Sequence, residues 1–437
     1  MKIFKNITNG YRKIASGIAI VAFLTLLYFA LIPGGTIAAS SYVITATGDP
    51  VIGAFIKLMD YPQYNATTDG TGQYTMPNVP IGTYNISATA PGYAPNISTV
   101  TVATGTNIKN FTLAPAINNY LPFLYQRADN LYDAAVQIQN DGTTAANVEI
   151  TLYNLDGTTA GTGIFAVQPG AMLTKHAFDI VIGKSIFVGP AVVTSDVPVQ
   201  AQSYIKTVNE GVYSIAPTST TPALNSYLPF LYQRADNLYD AGVQVFNPGT
   251  STASVTINMY NLDGTLAGTG TYSVAPQTEV SKYAFDIVTG KSTFVGPAEV
   301  ISTQPVAVQG FIRTKASNVY SIAPQVRKPV AAGKAHVPFL YQTVSATHDA
   351  GIQAMNPNGA AANVNIKLYY PDGSLAGSYS QSVAPFAELS KYAFDIAPVG
   401  VDFTGSVVVT ADQPIVSQGF IRKKSSNIYS IAPPVER

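Results

Sequence analysis

Chemistry needs side chains that can move a proton, hold a metal or attack a bond, at intervals that let them meet. In this sequence the candidates are three histidines and a set of acids, lysines and amides that recur at a long fixed interval. The recurring set is Asp133, Asp240 and Asp349; Gln137, Gln244 and Gln353; and Asn140, Asn247 and Asn356. To these are added Lys175, Lys282 and Lys391, each leading into Asp179, Asp286 and Asp395 in the pattern Lys-x-Ala-Phe-Asp. Turn chemistry, strand-end hydrogen bonding and surface ion pairs account for such residues without any reaction. Two sharper chemistries stay open. One is a weak Ca²⁺ site around Asp129 and Asp133, although Ser345 replaces the first of these in the third copy. The other is an autocatalytic Lys–Asn isopeptide crosslink with a nearby acid.

The interval comes from a sentence written three times. Tyr120 to Ala134 and Tyr227 to Ala241 are identical, YLPFLYQRADNLYDA, and His336 to Ala350 is a drifted copy, HVPFLYQTVSATHDA. Each opens a unit of 98 residues, 120–217, 227–324 and 336–433, which ends on Tyr-Ser-Ile-Ala-Pro. A fixed period is the signature of a repeat architecture. It also supplies an internal test, because a role shared by all copies must survive in all. The histidines do not pass. His176 falls where the others have Tyr283 and Tyr392, His348 where Tyr132 and Tyr239 stand, and His336 where Tyr120 and Tyr227 stand. Each is a swap at an aromatic packing position, so neither a His metal site nor a His base is supported. No G-x-S-x-G elbow, His-containing triad or phosphate loop is present. The sequence therefore points to no catalytic residue, no cofactor and no metal site. Tyrosines recur as well, Tyr125, Tyr232 and Tyr341 and then Tyr213, Tyr320 and Tyr429. They suit core packing first, and sugar stacking or a protein interface second. Arg127 and Asp129 are shared by copies one and two but become Thr343 and Ser345 in the third. If the copies bind something, the first two share a preference that the third lacks.

Composition narrows the class. The 437 residues are 47% hydrophobic and only 11% charged, with 24 basic and 24 acidic residues. With no basic surplus to neutralise phosphates, nucleic acid is excluded as a partner class. There is no Cys, so disulfides and thiolate metal sites are excluded. There are 27 Tyr and no Trp. Abundant Thr, Ser, Asn, Gly and Pro suit short β-strands joined by turns.

The N-terminus is built differently. Lys2, Lys5, Arg12 and Lys13 precede an uncharged stretch from Ile14 to Ile32, and small residues surround Ala38 and Ala39. Positive residues ahead of an apolar run place the remainder of the chain outside the membrane. Two readings remain open: a signal peptide cleaved after Ala38 or Ala39, or an uncleaved membrane-spanning anchor helix. Residues 1–40 are assigned to this segment.

From residue 41 onward the pattern predicts an all-β chain of four tandem β-sandwiches. In the copies, Val148, Ile150 and Leu152 alternate with polar residues, as do Val255, Ile257 and Met259, and Val364, Ile366 and Leu368. One face of such a strand is buried and the other wet. Asp156-Gly157, Asp263-Gly264 and Asp372-Gly373 come next as hairpin turns. No stretch sustains a helical period. Seven or eight antiparallel strands per copy are predicted, as in an immunoglobulin-like sandwich. In style and composition the tandem units resemble β-sandwich repeats of prokaryotic surface proteins. The linkers 218–226 and 325–335 suit extended spacers. Four sandwiches in line would make a rod of roughly 120 Å.

Residues 41–114 carry a more specific pattern. Ala54, Ile56 and Leu58 alternate with Phe55, Lys57 and Met59, and further short strands lie between turns. The ordered set Pro50-Val51-Ile52-Gly53-Ala54, Thr68-Asp69-Gly70 with Gly72 and Tyr74, Val79-Pro80-x-Gly82-x-Tyr84, and Pro91-Gly92-Tyr93 resembles the carboxypeptidase regulatory-like domain. The resemblance covers nearly all of 41–114. It implies a transthyretin-like, seven-stranded sandwich of the carbohydrate-binding-like class and an accessory role, not an activity. Tyr74 and Tyr84 are expected in the core or under its rim. Asn65, Asn85, Asn96 and Asn110 lie in Asn-x-Ser/Thr sequons, which the three copies lack.

The resulting expectation is a non-enzymatic exported protein, structural or adhesive, at the cell surface or outside the cell. Its partners would be surface proteins or polysaccharide, with the membrane engaged through the N-terminal segment if uncleaved. The alternative is a carbohydrate-binding protein.

Overall fold

The structure, a computed structural model, describes residues 34–217, 222–329, 332–432 and 435–436. The chain divides into two compact units, up to Ile117 and from Asn118 onward. Both are all-β. The helix expected over 14–32 lies outside the described residues. Among the described residues no helix is long and apolar enough to cross a membrane.

The first unit is a sandwich of two four-stranded sheets. In one, Gly34–Thr45 pairs antiparallel with Gln73–Pro80 and parallel with Gly105–Asn107 and Phe111–Leu113. The other runs Asn65–Thr67, Phe55–Leu58, Gly82–Thr89, Asn96–Val102. Alternation sets the core: Ala54, Ile56 and Leu58 turn inward to meet Tyr74, Met76 and Ile86. Burial of each such side chain contributes about 1.5–3 kcal/mol. The first strand starts at Gly34, inside the segment assigned to export, and Ile37 is fully buried in the core. Pro33-Gly34-Gly35 separates the apolar run from Ile37, so the strand begins at the turn residues that follow that run. Of the sequons, Asn65, Asn85 and Asn110 are exposed, while Asn96 is half-buried and its Nδ2 donates to the Thr112 carbonyl at 3.0 Å.

In the second unit, copies one and three build eight strands each over 117–217 and 334–432, and copy two builds seven. In copy one they form two four-stranded sheets. The opening YLPFLYQ sentence is an edge strand, Ile117–Arg127, beside Ile186–Ser195. The closing Tyr-Ser-Ile-Ala strand, Val212–Pro217, is the edge of the second sheet, beside Gln200–Thr207. Copy two repeats this, except that one 22-residue strand, Thr293–Thr314, runs through both sheets. The predicted alternation is observed: Val148, Ile150 and Leu152 are fully buried and their neighbours are not. Periodicity missed one element. Lys-x-Ala-Phe-Asp forms a single helical turn, Ala177–Ile180 and Ala284–Ile287, with a 3₁₀ turn at Ala393–Asp395. Four residues are too few to show a 3.6 period.

Candidate functional site at the contacts between copies

The recurring polar residues divide among structural tasks. Asp179, Asp286 and Asp395 each accept the backbone N–H three residues earlier, at 3.0, 2.9 and 2.9 Å, and so cap the helical turn. Lys175, Lys282 and Lys391 place their ammonium groups over the rings of Phe165, Tyr272 and Tyr379, at 4.7, 4.8 and 4.3 Å. Asn140, Asn247 and Asn356 are fully buried. Asn247 Nδ2 donates to the carbonyls of Ser251 and Val274, both at 2.9 Å, and its Oδ1 accepts from Gly249 N at 3.0 Å. The lysines and asparagines considered for a crosslink therefore have separate partners. Gln137, Gln244 and Gln353 accept from Gln202, Gln309 and Gln418 across neighbouring strands, at 2.9, 2.7 and 2.8 Å.

The acids considered for Ca²⁺ are also engaged apart from each other. Asp129 pairs with Arg127, whereas Asp133 meets His176 Nδ1 at 2.8 Å and accepts from Gln126 at 3.0 Å. Asp240 and Asp349 pair with Arg313 and Arg422. Among the described residues no group of three or more His, Asp and Glu could hold a metal ion. Asn247→Ala should cost about 2–4 kcal/mol, because three hydrogen bonds go and the buried Val274 carbonyl loses a donor. Chemical denaturation of the full chain measures it, and a loss under about 0.5 kcal/mol would show that the loop closes without the amide.

A set of recurrent aromatic residues meets the next copy. Phe123 and Tyr132 of copy one lie 6.3 and 5.6 Å from the Tyr320 ring of copy two. Phe311 and Ile322 of copy two complete this cluster, and both belong to the buried core of copy one. Polar bonds fix the register: Tyr132 Oη and Thr207 Oγ1 donate to the Asn318 carbonyl at 3.0 and 3.3 Å, and Ser214 Oγ donates to the Tyr320 carbonyl. The same contact recurs one copy on. Tyr239 lies 5.8 Å from Tyr429, Phe420 and Ile431 pack against the core of copy two, and Ser321 Oγ donates to the Tyr429 carbonyl at 2.6 Å. Burial pushes the Tyr320 and Tyr429 phenols up from their ordinary range.

This explains the drift in the repeated sentence. Arg127 Nη1 donates to the Tyr125 hydroxyl at 3.3 Å, and Tyr125 lies 4.7 Å from Tyr132. Arg234, Tyr232 and Tyr239 repeat the arrangement, at 3.3 and 4.9 Å. Arg and Asp thus brace the tyrosines that dock on the following copy. In copy three, Thr343 instead binds within its own loop.

A second contact lies beside the first. Tyr120, Tyr153 and Val192 of copy one pack on Phe246 and Ala307 of copy two. Tyr227 and Tyr260 of copy two pack on Met355, Val416 and Phe386 of copy three, with Tyr260 stacked on Phe386 at 4.8 Å. Here the hairpin turns dock too. A Cβ on Gly157 would meet the Pro276 carbonyl at 2.9 Å, and one on Gly264 the Pro385 carbonyl at 2.1 Å, while Gly373 faces open space. The copies are therefore in direct contact, which corrects the expectation of spacers between them. Apolar side chains at the strand edges outweigh the extended character of the linkers. The Tyr-Ser-Ile strands of all three copies line one groove of about 220 Å³, formed by 212–215, 320–322 and 428–431.

Residues 40–114 match the model of the carboxypeptidase regulatory-like domain, so the first sandwich carries that domain's sequence signature. No curated protein matches the chain. Among solved structures, the chain is similar to an interface mutant of a type II cohesin–X–dockerin complex from Acetivibrio cellulolyticus. The identity is 18% over 19% of this chain and 58% of that one, with a TM-score of 0.16. It is also similar to BcpA, the major pilin subunit of Bacillus cereus, at 11% identity over 68% and 94% of the two chains, with a TM-score of 0.16. The full-length major pilin SpaD from Corynebacterium diphtheriae matches at 11% identity over 70% and 89%, with a TM-score of 0.16. At these scores the likenesses assign this chain no role.

Proposed function

We propose that this is a non-enzymatic exported protein with a structural or adhesive role at the cell surface, held there by its N-terminal segment. The observation that carries the reading is that the polar groups recurring in every copy are engaged in caps, clips and cross-strand pairs, while a set of recurrent aromatics joins copy to copy. Such a chain is organised to bear a shape rather than to run a reaction. The basic residues ahead of the apolar run supply the export argument. Retention of the segment as an anchor is favoured over cleavage after Ala38 or Ala39. A cut there would sever Gly34–Ile37 from the first strand and remove the fully buried Ile37 from the core. Protease shaving of intact cells, followed by mass spectrometry of the purified chain, tests this. Digestion of the sandwiches from outside and an intact N-terminal segment are expected. A cytosolic, protease-shielded chain would overturn export, and a mature terminus at residue 39 or 40 would overturn the anchor. The same spectra read sugar at Asn65, Asn85, Asn96 and Asn110.

Carbohydrate binding is the second reading, favoured by one surface feature of the first unit. Tyr61 is exposed and stands edge-on to Tyr84 at 5.6 Å, leaving an aromatic face open to a sugar ring. Retention on cell-wall polysaccharide that Tyr61→Ala abolishes would support it, and no retention on any polysaccharide would remove it.

A further inference from the structure

The contact between copies is heterologous: one face of a copy docks on a different face of the next. Within the chain it is made twice by corresponding residues, and two faces are left over. At the end of copy three, Phe339 corresponds to Phe123 and Phe230. Those are 7% and 8% exposed, whereas Phe339 is 54% exposed. Ser430, which corresponds to the cross-copy donors Ser214 and Ser321, is exposed as well. At the start of copy one, Tyr213 and Ile215 correspond to the buried Tyr320 and Ile322. They are 53% and 52% exposed. A terminal repeat that only caps an array exchanges such residues for polar ones. Here Phe339, Ser430, Tyr213 and Ile215 retain the residue types that the two internal contacts bury.

We propose that the docking face of copy three in one chain seats on the open face of copy one in a second chain, so that the protein self-associates head to tail. A heterologous contact that does not close on itself extends by adding copies. The contact between chains is weaker than the internal ones, for a reason written in copy one. Gln139 and Gln200 stand where the later copies have Phe246 and Met355, and Ala307 and Val416. The second apolar contact is therefore missing, and only the aromatic cluster is left to join chains. His348 and Lys423 replace the Tyr and Thr hydroxyls that bond Asn318 from copy one. A dissociation constant on the order of 10–100 µM is expected for a contact reduced in this way. The inference rests on the repeated contact and not on export, so an exported monomer and a cytosolic oligomer would refute different statements.

The chain has no Cys, which makes crosslinking clean. Phe339→Cys and Tyr213→Cys are prepared separately in the full chain, with mild detergent covering the apolar segment, then mixed and oxidised. Both positions are exposed, so folding is preserved. Their internal counterparts, Phe123 and Tyr320, lie 6.3 Å apart between ring centres. The expected product is a mixed disulfide dimer that neither variant forms alone. Sedimentation of the unmodified chain should show association that rises with concentration and weakens about tenfold or more in Phe339→Asp. A monomer at every concentration, disulfides within each variant alone, or crosslinking of the double variant inside a single chain would each overturn the proposal.

Discussion

Tyr429→Ala is expected to destabilise the full chain by about 3–5 kcal/mol, the usual cost of deleting a buried aromatic, while Tyr213→Ala changes stability by no more than about 0.5 kcal/mol. The two tyrosines occupy the same position of the same Tyr-Ser-Ile-Ala-Pro sentence. Tyr429 is 7% exposed and packs between Phe420 and Tyr239. Tyr213 is 53% exposed, meeting Tyr204 at 5.1 Å and the Lys206 ammonium at 5.0 Å, both of its own copy. Removing Tyr429 also unseats copy three from copy two, so its unfolding should separate into an earlier step of its own. Stability in coupled repeats is the sum of intrinsic and neighbour terms, and this substitution strikes both. Differential scanning calorimetry of the two variants beside the parent chain measures the contrast. Equal losses would mean that the tyrosines act within their own sandwiches and that the contact between copies contributes little.

Glu279→Gln and Glu388→Gln should each stabilise the protein at neutral pH, by about 1–3 kcal/mol, and change little near pH 4. Both glutamates are buried, and no hydrogen-bond partner reaches either carboxylate oxygen of either residue. Both sit where a hairpin of the preceding copy docks: Glu279 N donates to the Leu155 carbonyl at 3.4 Å and Glu388 N to that of Leu262 at 3.0 Å. Burial pushes each carboxyl well above the usual carboxylate range. An acid raised in the folded state holds its proton there more tightly than in the unfolded chain. Its stabilising contribution is complete below the unfolded pKa of about 4.3 and is lost as pH rises toward the folded value. Glutamine keeps the shape and has no proton to lose, so the parent weakens between acid and neutral pH while the variants hold. Copy one has no preceding copy and carries Met172 at this position, 61% exposed. Thermal melts from pH 4 to pH 8 decide the matter. Parallel pH profiles in parent and variants would show that the carboxyls are solvated.

The sequence by itself determined the class and the parts. Alternating apolar residues such as Val148, Ile150 and Leu152 specify strands with one buried face, because the period of two leaves no other side for them. Asp-Gly pairs set the hairpins, as in Asp156, whose Oδ1 accepts Thr158 N at 3.0 Å, and Gly157 at φ +84°. The regulatory-like sandwich was legible from its ordered turns. His176, His336 and His348 each stand where the other copies have Tyr, which by itself argues against a shared histidine site. The one-turn helix at Lys-x-Ala-Phe-Asp left a trace in the recurring aspartates, but four residues cannot display a period. What only the tertiary structure decided is the fate of identical residues. Tyr213, Tyr320 and Tyr429 share one local sentence, yet two are buried under a neighbouring copy and one is not. Local sequence fixes the strand and the side of the sheet, since those derive from backbone geometry. Burial at a contact depends on what lies opposite, and that is set by residues about a hundred positions away and by whether another copy exists to supply them.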